Sequence, residues 1–373
     1  MNQINELKIN NILEYIKTIF SLQDNVIYKL NDNLIFEIIE EINNFETGIK
    51  KLNNENDANQ SEKEELRQIL KLKLLDIIKY FNKYPIMDTI ATMQRVNSNN
   101  TDIYAEPIRK RLEFYYRGVY NGEKFNLLPS VFRDKNYGKE DKYYHYIKSK
   151  CSSELNNRSH LDTLVTLQHY DCPTRLLDVT SNPLVALYFA CKNYGCSICD
   201  KSDYGYVYVF ANDKTKLLFK DSDRIIMLSC LSRFTKAEQE EIHDECIELI
   251  MKEGLDATFG ANDLPQVIEK LYHEIMTEVS FEKRIFARDL LQNYFVQPDI
   301  SNRRIDKQSG AFIISGLSKD QKEIEDKIKH NVVCKIRIND QEKILKALDR
   351  LNINEGSLFP ELDKVSKYYV SKI

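Results

Sequence analysis

Tryptophan is absent from the 373 residues of this chain, and Lys, Asn and Ile are abundant. That bias fits an AT-rich coding sequence and says nothing of mechanism. More is excluded by the missing signatures. There is no P-loop, no G-x-G-x-x-G, no G-x-S-x-G and no zinc-binding pattern, which argues against the common ATPases, Rossmann enzymes and hydrolases. No apolar run approaches 18 residues, so no membrane-spanning helix is expected. The N-terminal MNQINELKINN lacks a signal-peptide core, and the expected location is the cytoplasm. Neither sign of charge dominates. Lys+Arg number 53 and Asp+Glu 57, a net −4 that gives no global attraction to nucleic acid. The eight cysteines lack disulfide-like spacing and are read as reduced. Cys191, Cys196 and Cys199 have ferredoxin-like spacing, yet Cys191 falls on a buried helix. The trio is read as buried thiols plus a loop, and no metal is assigned.

What is present is a core-sized apolar fraction of 42% and a mixture of helical and strand periods. Ile4–Leu22, Asp32–Leu52 and Glu62–Tyr84 have helical periodicity, with a polar loop over Asn53–Ser61. Residues 1–85 are therefore an N-terminal helical region, read as a packing or homo-oligomerisation element. Pro85–Asn100 is a linker with a short helix, and residues 86–373 form the main domain, with a helical insertion near 230–292. Strands are expected at Glu113–Tyr120, Thr174–Val179, Tyr204–Ala211, Tyr294–Pro298, Ala311–Ser315 and Asn331–Ile338. Asn121–Lys124 is a turn, Lys214–Lys220 extends a sheet edge, and Asp223–Ser229 is a short strand or extended segment. Asp141–Lys150, Ser152–Tyr170, Thr235–Lys252 and Gln341–Leu351 are helical, and Pro265–Leu291 holds one or two more helices. Short strands between helices without a βαβ rhythm argue for an α+β fold with a mixed central sheet.

Constrained residues concentrate in Leu167–Ala190, LQHYDCPTRLLDVTSNPLVALYFA. Pro173 breaks an apolar run. Leu176 and Leu177 begin a buried strand. Thr180, Ser181 and Asn182 are N-cap residues ahead of Pro183, and the helix that follows is apolar nearly all round. A strand, a polar turn and a buried helix place backbone N–H groups and hydroxyls at one point, which suits an anion or nucleotide. Arg117 lies inside a strand, where it must pair with a carboxylate such as Asp178, meet a ligand, or both. Gly118 beside it permits close approach of a backbone or a ligand. His169 is either a hydrogen-bonding core residue or a catalytic one. His145 and His160 are isolated and expected at the surface, as is His273.

Four segments, in order, carry a family resemblance. They are Tyr116-Arg117-Gly118, Leu128-Pro129-Ser130-Val131-Phe132-Arg133, Gln168-His169 running to Pro173-Thr174-Arg175-Leu176-Leu177-Asp178, and Asn182-Pro183 running to Ala190. Together they resemble the FRG domain family, named for an aromatic-Arg-Gly tripeptide, over roughly Asp88 to the C-terminus. The tail Gly356–Tyr369 resembles that family's ending. Family context implies a role in bacterial defence or as a toxin.

The order of polar residues also looks like that of ADP-ribosyltransferases, and the resemblance implies NAD as substrate and an ADP-ribosyltransferase-like core. Arg117 matches the group that holds NAD, and Thr180 and Ser181 match the orienting hydroxyls. Gln308, in RRIDKQSGAFI, stands where a Glu is expected. A neutral amide supplies no charge beside an oxocarbenium ion, so Asp178 or Asp306 would substitute. The candidate catalytic residues are Arg117, Asp178, Thr180 and Gln308. Gly118, Gln168, His169, Thr174, Arg175, Ser181, Asn182 and Arg304 are the candidate binding residues. Three readings follow: an NAD-using transferase or glycohydrolase with a protein or nucleic-acid acceptor, a non-catalytic nucleotide- or nucleic-acid-binding module, and a metal-independent nuclease.

Overall fold

A computed structural model of the chain describes residues 6–25, 32–54, 60–83, 112–120, 127–192, 204–213, 217–260, 264–282, 284–299 and 303–373. Its centre is a mixed sheet. In chain order the strands are β1 Glu6–Ile9, β2 Leu112–Val119, β3 Leu176–Thr180, β4 Gly205–Asp213, β5 Leu218–Phe219, β8 Tyr294–Gln297, β9 Gly310–Ile314 and β10 Val332–Ile338. They lie in the spatial order β1-β10-β4-β2-β3-β9-β8-β5. The end pairs β1/β10 and β5/β8 are parallel, and the inner pairs are antiparallel. A separate ribbon pairs β6 Thr258–Phe259 with β7 Ile285–Phe286.

The longer helices are α1 Ile12–Asn25, α2 Asp32–Asn54, α3 Gln60–Lys83, α4 Glu140–Lys150, α5 His160–His169, α6 Pro183–Cys191, α7 Asp223–Cys230, α8 Lys236–Glu253, α9 Gln266–Met276, α10 Gln321–His330, α11 Gln341–Arg350 and α12 Leu362–Val370. Helices and strands are mixed without a βαβ rhythm, so the fold is α+β. No helix among the described residues is long and apolar enough to cross a membrane.

Both faces of the inner strands are buried, by alternation. On β4, Val207 and Val209 point into a core with Val185, Ala186 and Leu187 of α6. Tyr206, Tyr208 and Phe210 point the other way, with Leu177 and Val179 of β3. α6 is buried on all sides, as its composition requires. Its start is set locally: the Asn182 Oδ1 accepts from Leu184 N at 2.9 Å, and Pro183 fills the first turn.

Several expectations need correction. Ile4–Leu22 is not one helix. Glu6–Ile9 is a strand, and Asn11 caps a new helix by accepting from Glu14 N at 2.9 Å. The first 85 residues thus contribute a strand to the main sheet, and the buried residues of α2 and α3 pack in one core with those of α8. Asp223–Ser229 is helical, not extended. It is buried on nearly every side, so its short apolar run has no period to distinguish helix from strand. Ser152–Tyr170 is broken at Asn156–Ser159, where Asn157 has φ 62° and Ser159 caps α5. His160 is buried rather than exposed, with its Nδ1 2.8 Å from the Tyr144 hydroxyl. The linker at Pro85–Asn100, the turn at Asn121–Lys124, most of the Asn53–Ser61 loop, and Cys196 and Cys199 lie outside the described residues.

Candidate functional site

The site begins where a ladder stops. Among the described residues, β2 and β3 share one register pair, Tyr116 with Thr180, whereas β2 pairs with β4 along its whole length. Past that pair the two strands part, and Arg117 occupies the fork. Its Nη1 donates to the Asp178 backbone carbonyl at 2.6 Å and lies 3.7 Å from the Asp178 carboxylate. Its Nε is buried without a hydrogen-bond partner. Burial lowers the Arg117 pKa, and Asp178 opposes that shift.

Asp178 is the exception in β3, whose other residues are all buried. Its side chain is 64% exposed, against 16% for Arg117. A short relay aims it. The Thr174 hydroxyl donates to the Gln168 Oε1, which turns the amide so that Nε2 donates to Asp178 Oδ1 at 2.7 Å. The neighbouring segment is fixed in turn: Thr174 N donates to the Ser130 Oγ at 3.2 Å, and Val131 N donates to the Thr174 carbonyl at 3.2 Å. This brings in Arg133, whose Nε donates to the Leu128 carbonyl at 2.7 Å. Burial and the nearby Arg117 charge lower the Arg133 pKa, and Asp178 opposes them.

The hydroxyl turn after β3 is committed to structure. Thr180 Oγ1 donates to the Gln308 carbonyl at 2.6 Å and accepts from Asn182 N at 3.0 Å. Ser181 N donates to the Ser309 carbonyl at 3.0 Å, and Ser309 adopts φ 46° to meet it. The Gln308 Nε2 donates to the Leu358 carbonyl at 3.1 Å. The strand-to-helix turn and the Gln308 segment are therefore clamped together, and the Ser181 side chain remains exposed.

Two predicted residues point elsewhere. Arg175 is fully buried. Its Nε and Nη2 meet the Glu140 carboxylate at 3.0 and 2.5 Å, and Nη2 also donates to Gln239 Oε1 at 3.0 Å. It joins β3 to α4 and α8 and has no place in the Asp178 cluster. At Gly118, the closely approaching backbone is that of α6. A Cβ there would lie 1.7 Å from the Ala186 carbonyl oxygen.

The C-terminal segment packs beside the strand-to-helix turn. Phe359 packs edge-on to Phe189 at 6.0 Å, and Arg304 stacks 4.8 Å over the Phe359 ring. Lys192 lies 4.8 Å over Phe189 and 5.8 Å over Phe359. Desolvation and the Arg304 charge lower the Lys192 pKa, while Glu355 and Asp178 pull it up. His169 Nε2 is 3.7 Å from Glu361 Oε1. Arg117 and Gln168 thus meet at Asp178, with Thr174 behind Gln168, and His169, Arg304 and Gln308 contact Glu361, Phe359 and Leu358 of the C-terminal segment.

Arg133, Lys192 and Glu361 join the site without having stood out in the sequence. Arg133 lies within the Leu-x-Pro-Ser segment, and asking where each motif Arg points would have found it. Lys192 and Glu361 carry no local signal. Among the described residues, no three His, Cys, Asp or Glu side chains are grouped to hold a metal ion. Burial pushes the Cys191 thiol well up.

No curated protein and no solved structure matches this chain. Residues 112–196, from β2 through α6, match the model of one domain family, and they contain the fork, the relay and the clamped turn. Over those residues the chain carries an FRG domain.

Proposed function

We propose that the fork between β2 and β3 is a nucleotide site and that NAD is its ligand. The observation that carries this reading is Asp178, an exposed carboxylate in the middle of a buried strand, aimed by Gln168 at 2.7 Å and flanked by Arg117 at 3.7 Å. Neutralising the largely buried Arg117 accounts for a carboxylate there, but not for leaving 64% of its side chain exposed. A nucleotide brings ribose hydroxyls that donate to a carboxylate, and phosphates that accept from guanidinium forks. Asp178 suits the first, and Arg117 with Arg133 suits the second.

Turnover of NAD would break the bond between nicotinamide and ribose. The electron pair leaves with nicotinamide, and positive charge develops on the ribose. In this reading Asp178 stabilises that charge; the Gln308 side chain is neutral and tied to Leu358. Water then forms the new C–O bond and releases its proton to solvent, giving ADP-ribose and nicotinamide. An acceptor hydroxyl or amine in place of water makes the step a transfer. A second reading, binding without turnover, is favoured by one observation: the Thr180 hydroxyl donates to the Gln308 carbonyl rather than facing the fork.

Incubation of the purified chain with NAD, followed by quantification of nicotinamide, tests both. Release by wild type and its loss in Asp178→Asn supports the enzyme. Binding of intact NAD without release supports the binding module. Absence of both release and binding overturns the NAD reading.

A further inference from the structure

β1 ends the sheet on one side, and among the described residues its outer edge carries no further strand. Glu6, Leu7 and Lys8 are all exposed there. Which backbone groups face outward follows from the inner ladder. β1 runs parallel to β10 with Ile9 opposite Ile338, and the Ile9 carbonyl accepts from Asn339 N at 3.0 Å. Ile9 therefore turns its peptide groups toward β10. Successive residues of a strand alternate, so Leu7 also faces β10, while Glu6 and Lys8 present N–H and C=O to the open edge.

The side chains alternate between the two faces. Leu7 shares a face with Ile9, which packs with α6 in one core, yet Leu7 itself is 39% exposed. Glu6 and Lys8 lie on the other face. There Lys8 is the register partner of Arg337, and like charges directly opposite one another destabilise a sheet. Among the described residues neither has an acidic partner, for Glu6 reaches Lys335 instead, at 3.8 Å.

We propose that two copies of this chain join their β1 edges antiparallel, about a two-fold axis at Leu7. Glu6-Leu7-Lys8 is complementary to itself in that register. Glu6 meets Lys8 of the partner subunit, Lys8 meets Glu6 of the partner subunit, and the two leucines meet at the axis. The outward-facing residues fall into the hydrogen-bonded pairs. The leucines fall into the non-hydrogen-bonded pair, where side chains lie closest. The carboxylate brought beside Lys8 offsets its repulsion from Arg337. A parallel pairing in register would instead set Glu6 against Glu6 and Lys8 against Lys8. The pairing places the homo-oligomerisation expected of residues 1–85 on a strand rather than on the helices, and it does not rest on the NAD reading. The competing role of Lys8 is to keep an edge strand unpaired, as edge lysines do in monomers.

Sedimentation equilibrium of the full chain from about 1 to 200 µM decides between the two, a range suited to so small an interface. Wild type is expected to pass from monomer to dimer. Lys8→Glu sets like charges opposite one another at both pairs and raises the dimer Kd about tenfold or more. That variant gains an attractive partner in Arg337, so β1 stays docked on β10. Lys8→Pro removes only the N–H that faces the open edge, spares the bonds to β10, and abolishes the dimer. A wild type that stays monomeric across the range, a dimer unchanged in either variant, or assembly beyond the dimer would overturn the pairing.

Discussion

Arg175 and Arg117 belong to the same matched domain and end in opposite circumstances. Arg175, at the entrance to β3, is closed off: its guanidinium meets Glu140, Gln239 and the Ser315 carbonyl, and none of its surface reaches solvent. Arg117, beside the other end of β3, leaves Nε unpartnered and faces an exposed carboxylate. Motif membership alone therefore does not distinguish an arginine whose donors the protein satisfies from one that keeps a donor without a partner. The difference lies in whether the protein itself uses every donor.

Breaking the closed arginine has the largest expected effect. Arg175→Ala strands the Glu140 carboxylate in the core and lowers stability by about 3–5 kcal/mol, seen as a lower denaturation midpoint in urea. Arg175→Met combined with Glu140→Leu removes both charges and recovers much of that loss, which no role in ligand binding would produce.

A pH titration tests a buried histidine, His160, whose Nε2 has no hydrogen-bond partner. Burial, then the charges of Arg233 and Lys148, push the pKa of His160 down to about 4. In the unfolded chain it takes up a proton near 6.5. The unfolded state binds more protons between these values, so the contribution of His160 is full above pH 6.5. It is lost as pH falls toward 4, by about 3 kcal/mol in total. In His160→Asn, a urea series over that range should show a correspondingly flatter dependence of stability on pH.

Gly118→Ala sharpens the comparison by separating packing from ligand binding. Its Cβ would collide with the Ala186 carbonyl oxygen. A cost of about 1–3 kcal/mol in thermal or urea unfolding is expected as α6 is pushed off β2. Opening the fork has the smallest effect on stability. Arg117→Ala removes one hydrogen bond to the Asp178 carbonyl and costs about 1 kcal/mol in the same assays. Its main effect is on ligand affinity.

Much of the sheet was legible. YGYVYVFA and NVVCKIRI alternate with period two, and β4 and β10 sit where that pattern places them. α6 was readable because Asn182, Pro183 and an all-apolar run define a buried helix from its first turn. β1 was not readable. Its pairing with β10 joins residues more than 300 positions apart, and three of its four residues are exposed, so a helical period imposed itself. The relay from Thr174 through Gln168 to Asp178 was half legible. All three residues stood out, but the exposure of Asp178 depends on β2 leaving β3 after Tyr116, which no local pattern encodes. The pairing of Arg175 with Glu140 spans 35 positions and depends on where α4 docks.

Arg117 and the exposed Asp178 carboxylate form the proposed ligand site. Calorimetric titration of NAD into wild type, Arg117→Ala and the double variant Arg175→Met/Glu140→Leu, all below their Tm, tests it most directly. Binding by wild type is expected, with affinity reduced about tenfold or more in Arg117→Ala, a loss of about 1.4 kcal/mol, and affinity preserved in the double variant. Equal affinity in wild type and Arg117→Ala, or no binding by any of the three, would contradict it.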